Sequence, residues 1–287
     1  MKKTILAAAI AASVLGLAAC TEEAKASGVT VYGSVEQRVE MTNGVWDVNS
    51  DDNFVGFEAS EDLGNGASAY ANISMDVASE DNSTATVRDS YVGVNFGSVD
   101  VRAGRQINFL DAADDATTDI FEGTSLTADG AARNDSAVRV TTEVSGVTIG
   151  GVVISDNSGA EEKTDAYQVM ASAAVGPATV IGVYNKDKNA NTDTKLVGAS
   201  AAIADINVGG TYEIAANDDV TMTAVAAVSA GNNTFKAGIE DVENGAQTYV
   251  LEAVHNFSKS TSAYVNYSDN DVAGNDSTTM VGLRMNF

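Results

Sequence analysis

The chain has 287 residues, with 40 acidic and 16 basic side chains and a formal net charge of −24 at pH 7. Such a charge suits solubility or salty surroundings, attracts cations and repels phosphate backbones, which argues against a nucleic-acid partner. Proline occurs only once. After the first 20 residues, no apolar run is long enough to cross a membrane as a helix. Apolar residues instead alternate with polar ones, which indicates β-strands.

Residues 1–26 have the composition of a secretory signal peptide. Two lysines precede an apolar stretch that is too short to span a membrane as a helix. Ala24-Lys25-Ala26 matches the small-x-small rule for cleavage and predicts a mature chain of residues 27–287. Leu17-Ala18-Ala19-Cys20 resembles a bacterial lipobox, so an alternative cut before Cys20, the single cysteine, stays open.

Sixteen segments alternate apolar and polar residues over roughly ten positions, the length that crosses a membrane as a tilted strand. In 206–214, for example, Ile, Val, Gly, Tyr and Ile alternate with Asn, Gly, Thr and Glu. The segment 178–187 is the weakest, because it is apolar on both faces. The predicted strands are 29–41, 53–61, 67–77, 88–96, 99–105, 136–144, 147–155, 165–175, 178–185, 195–204, 206–214, 220–229, 234–241, 247–257, 261–269 and 277–287.

The connections between these strands alternate in length. Tight turns are predicted at Gly97-Ser98, Ser145-Gly146, Gly176-Pro177 and Ser258-Lys259-Ser260. Longer polar links are predicted at 43–52, 79–87, 156–164 and 186–194. Short turns at one end and longer loops at the other are typical of outer-membrane barrels. We therefore predict an all-β fold, a 16-stranded antiparallel transmembrane β-barrel in the outer membrane of a Gram-negative bacterium.

A soluble β-sandwich and a β-solenoid are the alternative folds. A sandwich buries one apolar face of each strand in a dry interior, but here the opposite faces carry many charges that a packed core cannot hold. A solenoid has a fixed repeat period, and none is visible. A water-filled lumen hydrates the polar faces and therefore favours the barrel.

Several motifs, in their order along the chain, resemble those of the Gram-negative general porins. The resemblance implies a sixteen-stranded barrel, usually a homotrimer, whose third loop folds inward and constricts the pore. The segment 106–135 has the position of that loop. Its length alone also fits a disordered surface loop, but the resemblance favours a functional loop. The motifs are Val29-Thr30-Val31-Tyr32-Gly33, the segment 55–66, Arg88-Asp89-Ser90-Tyr91, Gly104-Arg105-Gln106, Ser136-Ala137-Val138-Arg139, Phe257-Ser258-Lys259-Ser260 and the terminal Val281-Gly282-Leu283-Arg284-Met285-Asn286-Phe287.

The resemblance also implies a constriction in which basic wall residues face acidic residues of the third loop. The wall candidates are Arg102, Arg105 and Arg139. Alternation points Arg102 and Arg139 inward, whereas Arg105 points outward unless the chain bends at Gly104. The loop candidates are Asp111, Asp114, Asp115, Asp119 and Glu122, for which a solvated loop carboxylate is the alternative. Two basic positions of the family are lacking, since Ser34 and Phe54 stand there.

Alternation places further charges on the inner face of the strands. The additional pore-lining candidates are Arg38, Glu36, Asp100, Glu143, Glu213, Lys236, Glu252 and Arg284. Over all inward positions the acidic residues, which also include Glu40, Asp76, Asp89 and Glu240, outnumber the basic ones. A net negative lumen favours cations, so we predict a cation preference.

We predict passive diffusion of small hydrophilic solutes and ions, with outer-membrane lipids and lipopolysaccharide as further partners and with no catalytic role, cofactor or metal site. The alternatives are a substrate-selective channel, an outer-membrane hydrolase and a plugged structural barrel. The single histidine, His255, has outward apolar neighbours, which argues against a catalytic triad. The acidic segment 269–276 resembles a calcium loop, but Met280 replaces the glutamate that an EF-hand requires.

Overall fold

A computed structural model describes residues 25–50, 52–77, 84–126, 133–155, 164–271 and 277–287. Within these residues the chain forms seventeen strands and one helix, α1 (Phe109–Thr117). The strands are β1 (Lys25–Thr42), β2 (Val45–Asn49), β3 (Phe54–Gly64), β4 (Ala67–Asp76), β5 (Thr86–Asn95), β6 (Val99–Ile107), β7 (Arg133–Val144), β8 (Val147–Ile154), β9 (Ala166–Val175), β10 (Ala178–Asp187), β11 (Thr192–Ile203), β12 (Ile206–Ile214), β13 (Val220–Ala230), β14 (Asn233–Val242), β15 (Gln247–Asn256), β16 (Thr261–Asn270) and β17 (Thr278–Asn286).

The strands close into an antiparallel barrel of sixteen, as predicted. From β3 to β17 each strand pairs with the next one along the chain. Strand β1 closes the barrel, because its first half pairs with β3 and its second half pairs with β17. No helix among the described residues is long and apolar enough to cross a membrane.

Strand β2 is an addition to the predicted list. It lies in the predicted link 43–52 and folds back on the end of β1, so that Val45 pairs with Thr42. The turn is Asn43-Gly44, with φ angles of 57° and 73°. Asn-Gly is favoured in two-residue hairpin turns because both central residues need a positive φ. The dipeptide is therefore a hairpin signal, but the five residues of β2 are too few to match the membrane-length pattern that predicts the other strands.

The predicted leader lies mostly outside the described residues, which begin at 25. Lys25 and Ala26, which precede the predicted cleavage site, are part of β1 and pair with Asp62 and Glu61 of β3. Strands β6 and β7 extend further than predicted, to Ile107 and from Arg133. The link between them is therefore 108–132, and its described part, 108–126, is called the third-loop segment below.

The two faces of the wall differ in chemistry. In β15, Tyr249 and Leu251 are exposed, whereas Val250 and Glu252, on the opposite face, are buried. Because side chains alternate across a strand, this pattern makes one face of the closed sheet an apolar outer surface. The other face is polar, with Glu36, Asn72, Gln168 and similar residues, and is called the polar face below.

The third-loop segment packs on the polar face of the wall. Asn108 immediately precedes helix α1 and caps it, because its side chain accepts the N–H of Asp111 at 2.7 Å. Phe109 and Leu110 are buried against aliphatic side chains of β7–β11. Further along, Phe121 and Leu126 are buried against Val225 and Val250. These two apolar clusters hold the segment against the barrel wall.

Glycines on the wall make room for this segment. A Cβ on Gly150 would lie 2.5 Å from Cζ of Phe109. A Cβ on Gly209 would lie 1.7 Å from the carbonyl oxygen of Thr117, and one on Gly238 would lie 2.7 Å from Phe121. Contacts this short are impossible without displacement, so these three positions require glycine for the observed docking.

We expect Gly150→Val to displace Phe109 and to lower the free energy of unfolding by about 1–3 kcal/mol, the usual cost of overpacking. Gly151→Val is the matched control, since a Cβ there meets nothing within 4 Å and its φ is not positive. It should change stability by less than about 0.5 kcal/mol. Denaturant unfolding in lipid vesicles measures both variants. Equal stability of the two variants would contradict the packing of Phe109 against Gly150.

Candidate pore constriction

The third-loop segment is hydrogen-bonded to strands far apart around the barrel. At its start, the N–H of Phe109 donates to Oε1 of Gln168 in β9 at 2.9 Å. Near its end, Oγ1 of Thr124 donates to Oδ1 of Asn266 in β16 at 3.1 Å. Between these points α1 packs on β9–β12. The segment therefore follows the polar face across about half of the barrel strands.

The end of the segment is held by an ion cluster, which comprises Glu36, Glu122, Lys236, Glu252 and Arg284. Glu122 of the loop pairs with Arg284 at 2.5 Å and with Lys236 at 3.3 Å. Arg284 also contacts Glu36 at 2.6 Å, and Lys236 contacts Glu252 at 2.9 Å. The side chains of Glu36 and Glu252 are fully buried. The cluster joins the loop to β1, β14, β15 and β17.

Hydrogen bonds complete the cluster. Glu252 accepts the N–H groups of Glu122 and Gly123, at 2.9 and 3.1 Å, and the amide of Asn266 at 2.9 Å. Tyr264 donates its hydroxyl to Oε1 of Glu36 at 2.6 Å. Buried carboxylates are stable only when paired and hydrogen-bonded, so both groups meet this requirement.

The acidic candidates of the loop separate into three environments. Asp111, Asp115 and Asp119 are spaced by four residues along α1 and its end, and the last two are exposed to solvent. Asp114 is instead 1% exposed, and its Oδ1 accepts the hydroxyl of Thr118 at 3.4 Å. Glu122 belongs to the ion cluster. The open surface of the loop therefore carries a row of aspartates, called the aspartate row below.

Partial burial raises the pKa of all three members of the aspartate row, Asp111, Asp115 and Asp119. Mutual repulsion adds to the effect, since the charge of Asp111 raises the pKa of Asp115. The positive charges of Arg133 and Arg88 act in the opposite direction on Asp111 and Asp115. The row therefore holds its protons more tightly than ordinary aspartates do.

The three predicted wall arginines make no ion pair with a loop carboxylate among the described residues. Arg102 donates to Gln106 at 2.5 Å, and Arg139 lies over the ring of Phe109 at 4.2 Å. Arg105 stands opposite Ser90, on the outer side of β5, and pairs with the exposed Asp135. This outward position of Arg105 is the one that strict alternation along β6 predicts.

The charges of two other arginines, Arg88 and Arg133, act on Asp111 and Asp115 of the loop, and neither is among the predicted wall residues. Arg88 lies over the ring of Phe54 at 4.4 Å and pairs with Asp52 at 2.5 Å. Arg133 pairs with Asp89 at 3.2 Å. The pairing of β4 with β5 shifts register at Arg88, a bulge that turns this residue to the polar face. Arg133 lies in the predicted loop 106–135, three residues before the predicted strand 136–144.

The remaining predicted pore-lining residues occupy varied positions. Asp100 accepts the hydroxyl of Tyr70 at 2.6 Å, and Arg38 contacts Glu40 at 3.7 Å and the carbonyl of Gly123 at 3.4 Å. Glu213 is buried at 1% exposure. Glu143 is exposed near the turn after β7. The other predicted members, Glu36, Lys236, Glu252 and Arg284, form the wall part of the ion cluster.

Comparisons with solved structures show the same fold at low sequence identity. OmpF of Salmonella typhi, solved in complex with daunomycin, gives a TM-score of 0.76 at 14% identity, over 90% of this chain and 97% of that one. The anion-selective porin of Comamonas acidovorans gives 0.74 at 18% identity, over 92% and 100%. OmpT of Vibrio cholerae in its trimer form gives 0.71 at 16% identity, over 93% and 100%.

A comparison with curated protein sequences finds no match. The family model described as Gram-negative porin, however, matches residues 6–275 of this chain. Together with the closed sixteen-stranded barrel, this match places the protein in the outer membrane and indicates a channel rather than an enzyme. The chain belongs to the Gram-negative porin family.

Proposed function

We propose that the protein is a general diffusion porin that lets small hydrophilic solutes and ions cross the outer membrane passively, with a preference for cations. The observation that carries this proposal is the aspartate row on the third-loop segment, which packs on the polar face of a closed barrel. Carboxylates placed beside a water-filled path attract cations and repel anions.

The contacts of the third-loop segment support an inward fold of that loop. Its apolar anchors and hydrogen bonds meet Gly150, Gln168, Glu252 and Asn266, all on the polar face. The polar face of a closed transmembrane barrel is its inner face, because the apolar face meets lipid. The loop then narrows the lumen, and the ion cluster fixes its end to the wall.

The balance of charge near the loop supports the cation preference. Most basic side chains there are neutralised by carboxylates, as Arg88 is by Asp52 and Asp76, and Arg133 is by Asp89. Among the described residues, by contrast, the aspartate row has no cation within ion-pair distance of 4.0 Å. The aspartate row therefore supplies uncompensated negative charge on the open surface of the loop, which supports a preference for cations.

The surroundings of His255 support a purely conducting role. Its Nδ1 lies 2.8 Å from Oδ1 of Asn233, and its ring stacks edge-on against Phe257 at 4.9 Å. These contacts place it near the short-turn end of the barrel, where the partners given for it are an amide oxygen and an aromatic ring rather than a serine hydroxyl. A hydrolase role needs a different arrangement, so we propose no catalytic function.

Single-channel recording in a planar bilayer tests the proposal. Under a gradient of potassium chloride we expect large ohmic steps and a reversal potential that indicates preference for potassium. Asp115→Asn/Asp119→Asn should bring the permeability ratio closer to one, because it removes two charges of the aspartate row. An anion preference in the unchanged protein would contradict the proposed selectivity, and a folded barrel that does not conduct would overturn the porin function.

The selectivity should depend on pH in a direction set by the raised pKa values of the aspartate row. Carboxyl groups with raised pKa values become neutral at a higher pH than the ordinary value of about 3.9. The preference for cations should therefore decline on acidification before ordinary aspartates titrate. In Asp115→Asn/Asp119→Asn this early decline should be largely lost.

We expect Glu252→Gln to loosen the end of the third loop. The change removes the nearer of the two carboxylate partners of Lys236 and puts an amide donor near two N–H donors. Breaking a buried ion pair costs about 3–5 kcal/mol. Single-channel traces should show more current noise and brief closures than those of the unchanged protein. Glu143→Gln is the matched control, since it removes an equal charge from an exposed site. Identical traces from both variants would refute the role of the cluster.

We propose a homotrimer with lipopolysaccharide bound at its outer surface. A trimer form exists for the similar OmpT of Vibrio cholerae. Lys195 lies on the outer side of β11 near the longer links, and Lys188 lies over the ring of Tyr167. Both suit lipid phosphates, whereas the neighbouring Lys186 pairs with Asp193 at 2.6 Å. Light scattering should give the mass of three chains, increased when lipopolysaccharide is added. A monomer mass would refute the homotrimer. An unchanged mass after lipopolysaccharide is added would refute the binding of lipopolysaccharide.

A further inference from the structure

A cavity lies between the third-loop segment and the wall, at the end of the barrel that carries the longer links. Its volume is about 600 Å³, within the range of about 300–1,000 Å³ that is usual for small-molecule sites. Helix α1 contributes Leu110 to the lining, and the wall contributes the ends of β7–β12. The longer links of an outer-membrane barrel are extracellular, so in the proposed channel a solute from outside meets this cavity before it passes the loop.

Three polar side chains of the wall form a row in this cavity, called the polar row below. Asn185 of β10 is the direct partner of Gln168 in β9 and of Thr194 in β11, and all three line the cavity. Side chains of direct partners lie on the same face, with Cβ atoms about 4.5–5.5 Å apart. Gln168 and Thr194 are only 3% and 6% exposed. The row therefore presents evenly spaced hydrogen-bonding groups in a largely enclosed place.

Much of the hydrogen-bonding capacity of the polar row is unused by the protein. Oε1 of Gln168 accepts the N–H of Phe109 at 2.9 Å and the amide of Asn134 at 3.3 Å, which leaves the Nε2 group of Gln168 as its donor. Among the residues that the structure describes, neither this group nor the side chain of Asn185 or Thr194 makes a hydrogen bond. Polar groups with so little exposure are costly without partners, so a ligand that supplies partners is favoured.

Each charged side chain that lines the cavity already has a partner in the protein. The pairs are Arg133 with Asp89, Asp135 with Arg105, Asp165 with the side-chain amide of Asn189, and Asp187 with the backbone N–H of Asn189. The groups that remain for a ligand are therefore neutral amides and hydroxyls, which donate as well as accept hydrogen bonds. A ligand with neutral hydroxyl groups matches them in both respects.

Apolar side chains complete the lining. Leu110 and Ala215, which are 5% and 3% exposed, contribute to it together with Ile154 and Ala166. Small-molecule sites generally combine apolar contact area with a few placed polar groups that fix orientation and specificity. A sugar ring has both kinds of surface, since its hydroxyl groups project from the edge and its C–H groups cover the faces.

We infer that this cavity is a binding site for a small neutral carbohydrate. The hydroxyl groups of the sugar bind the polar row, and its C–H groups contact Leu110 and Ile154. The inference rests on the proposed porin function, because the site then lies on the path of the solute. A sugar held there is concentrated beside the third-loop segment before it passes, which gives neutral sugars an advantage over other uncharged solutes.

Isothermal titration calorimetry on the folded protein in detergent micelles tests the site, with glucose, maltose, sucrose and lactose as probes. We expect saturable binding of at least one of these sugars. Asn185→Leu/Thr194→Val keeps the side-chain sizes but removes two neutral hydrogen-bonding groups, so the affinity should fall about tenfold or more. Asn207→Leu/Thr223→Val is the matched control, because it makes the same exchanges on the polar face outside the cavity.

Single substitutions keep the test valid if the double variant does not fold. Thr194→Ser retains the hydroxyl group and should bind the sugar nearly as well as the unchanged protein, whereas Thr194→Val should bind it several-fold more weakly. Saturable binding of none of the four sugars would overturn the site, as would equal affinities of the polar-row variants and the unchanged protein.

Conductance in potassium chloride, recorded in a planar bilayer, separates this inference from the proposed function. A barrel that conducts but binds none of the sugars would overturn the carbohydrate site alone. A folded barrel that does not conduct would overturn the porin function, whatever calorimetry shows, because calorimetry detects the site without transport.

Discussion

Closure of the hydrogen-bonded sheet is the constraint on which the rest of this molecule depends. In a bilayer every backbone N–H and C=O needs a partner within the protein, and a sheet meets this demand only when no edge is left. The closing strand is β1, which pairs with β3 along its first half and with β17 along its second. The seam is completed at the chain end, where Gly33 and Phe287 exchange both backbone hydrogen bonds at 3.0 Å.

Closure also decides what kind of interior the protein has. A closed sheet of alternating side chains must direct one set outward and the other into the lumen, and here the inward set is polar. Wall residues alone form one small apolar cluster there, which consists of Val254, Tyr264 and Met280. The two clusters described above exist because the third-loop segment supplies their other half, with Phe109, Leu110, Phe121 and Leu126. Glycines on the wall make that docking close enough for an apolar contact.

The charges on the inner wall have different roles according to their partners. The members of the ion cluster neutralise one another's charges, and they hold the end of the third-loop segment against the wall. The aspartate row has no cation within ion-pair distance among the described residues, and in the proposed channel its charge acts on passing ions. Arg102 and Arg139 are backed by aromatic rings instead of carboxylates. A count of charges along inward positions cannot distinguish these three cases, although they predict different effects on a permeating solute.

The sequence by itself determined the strands, the short-turn end and the family, because alternation with a period of two and turn chemistry are local properties of the chain. Only the tertiary structure decided which face Arg88 occupies, since one extra residue in a bulge reverses alternation without a local signal. It likewise decided the partners of Glu122, which lie more than 100 positions away in the chain. Such pairings arise only when closure brings distant strands beside the loop, so no local pattern encodes them.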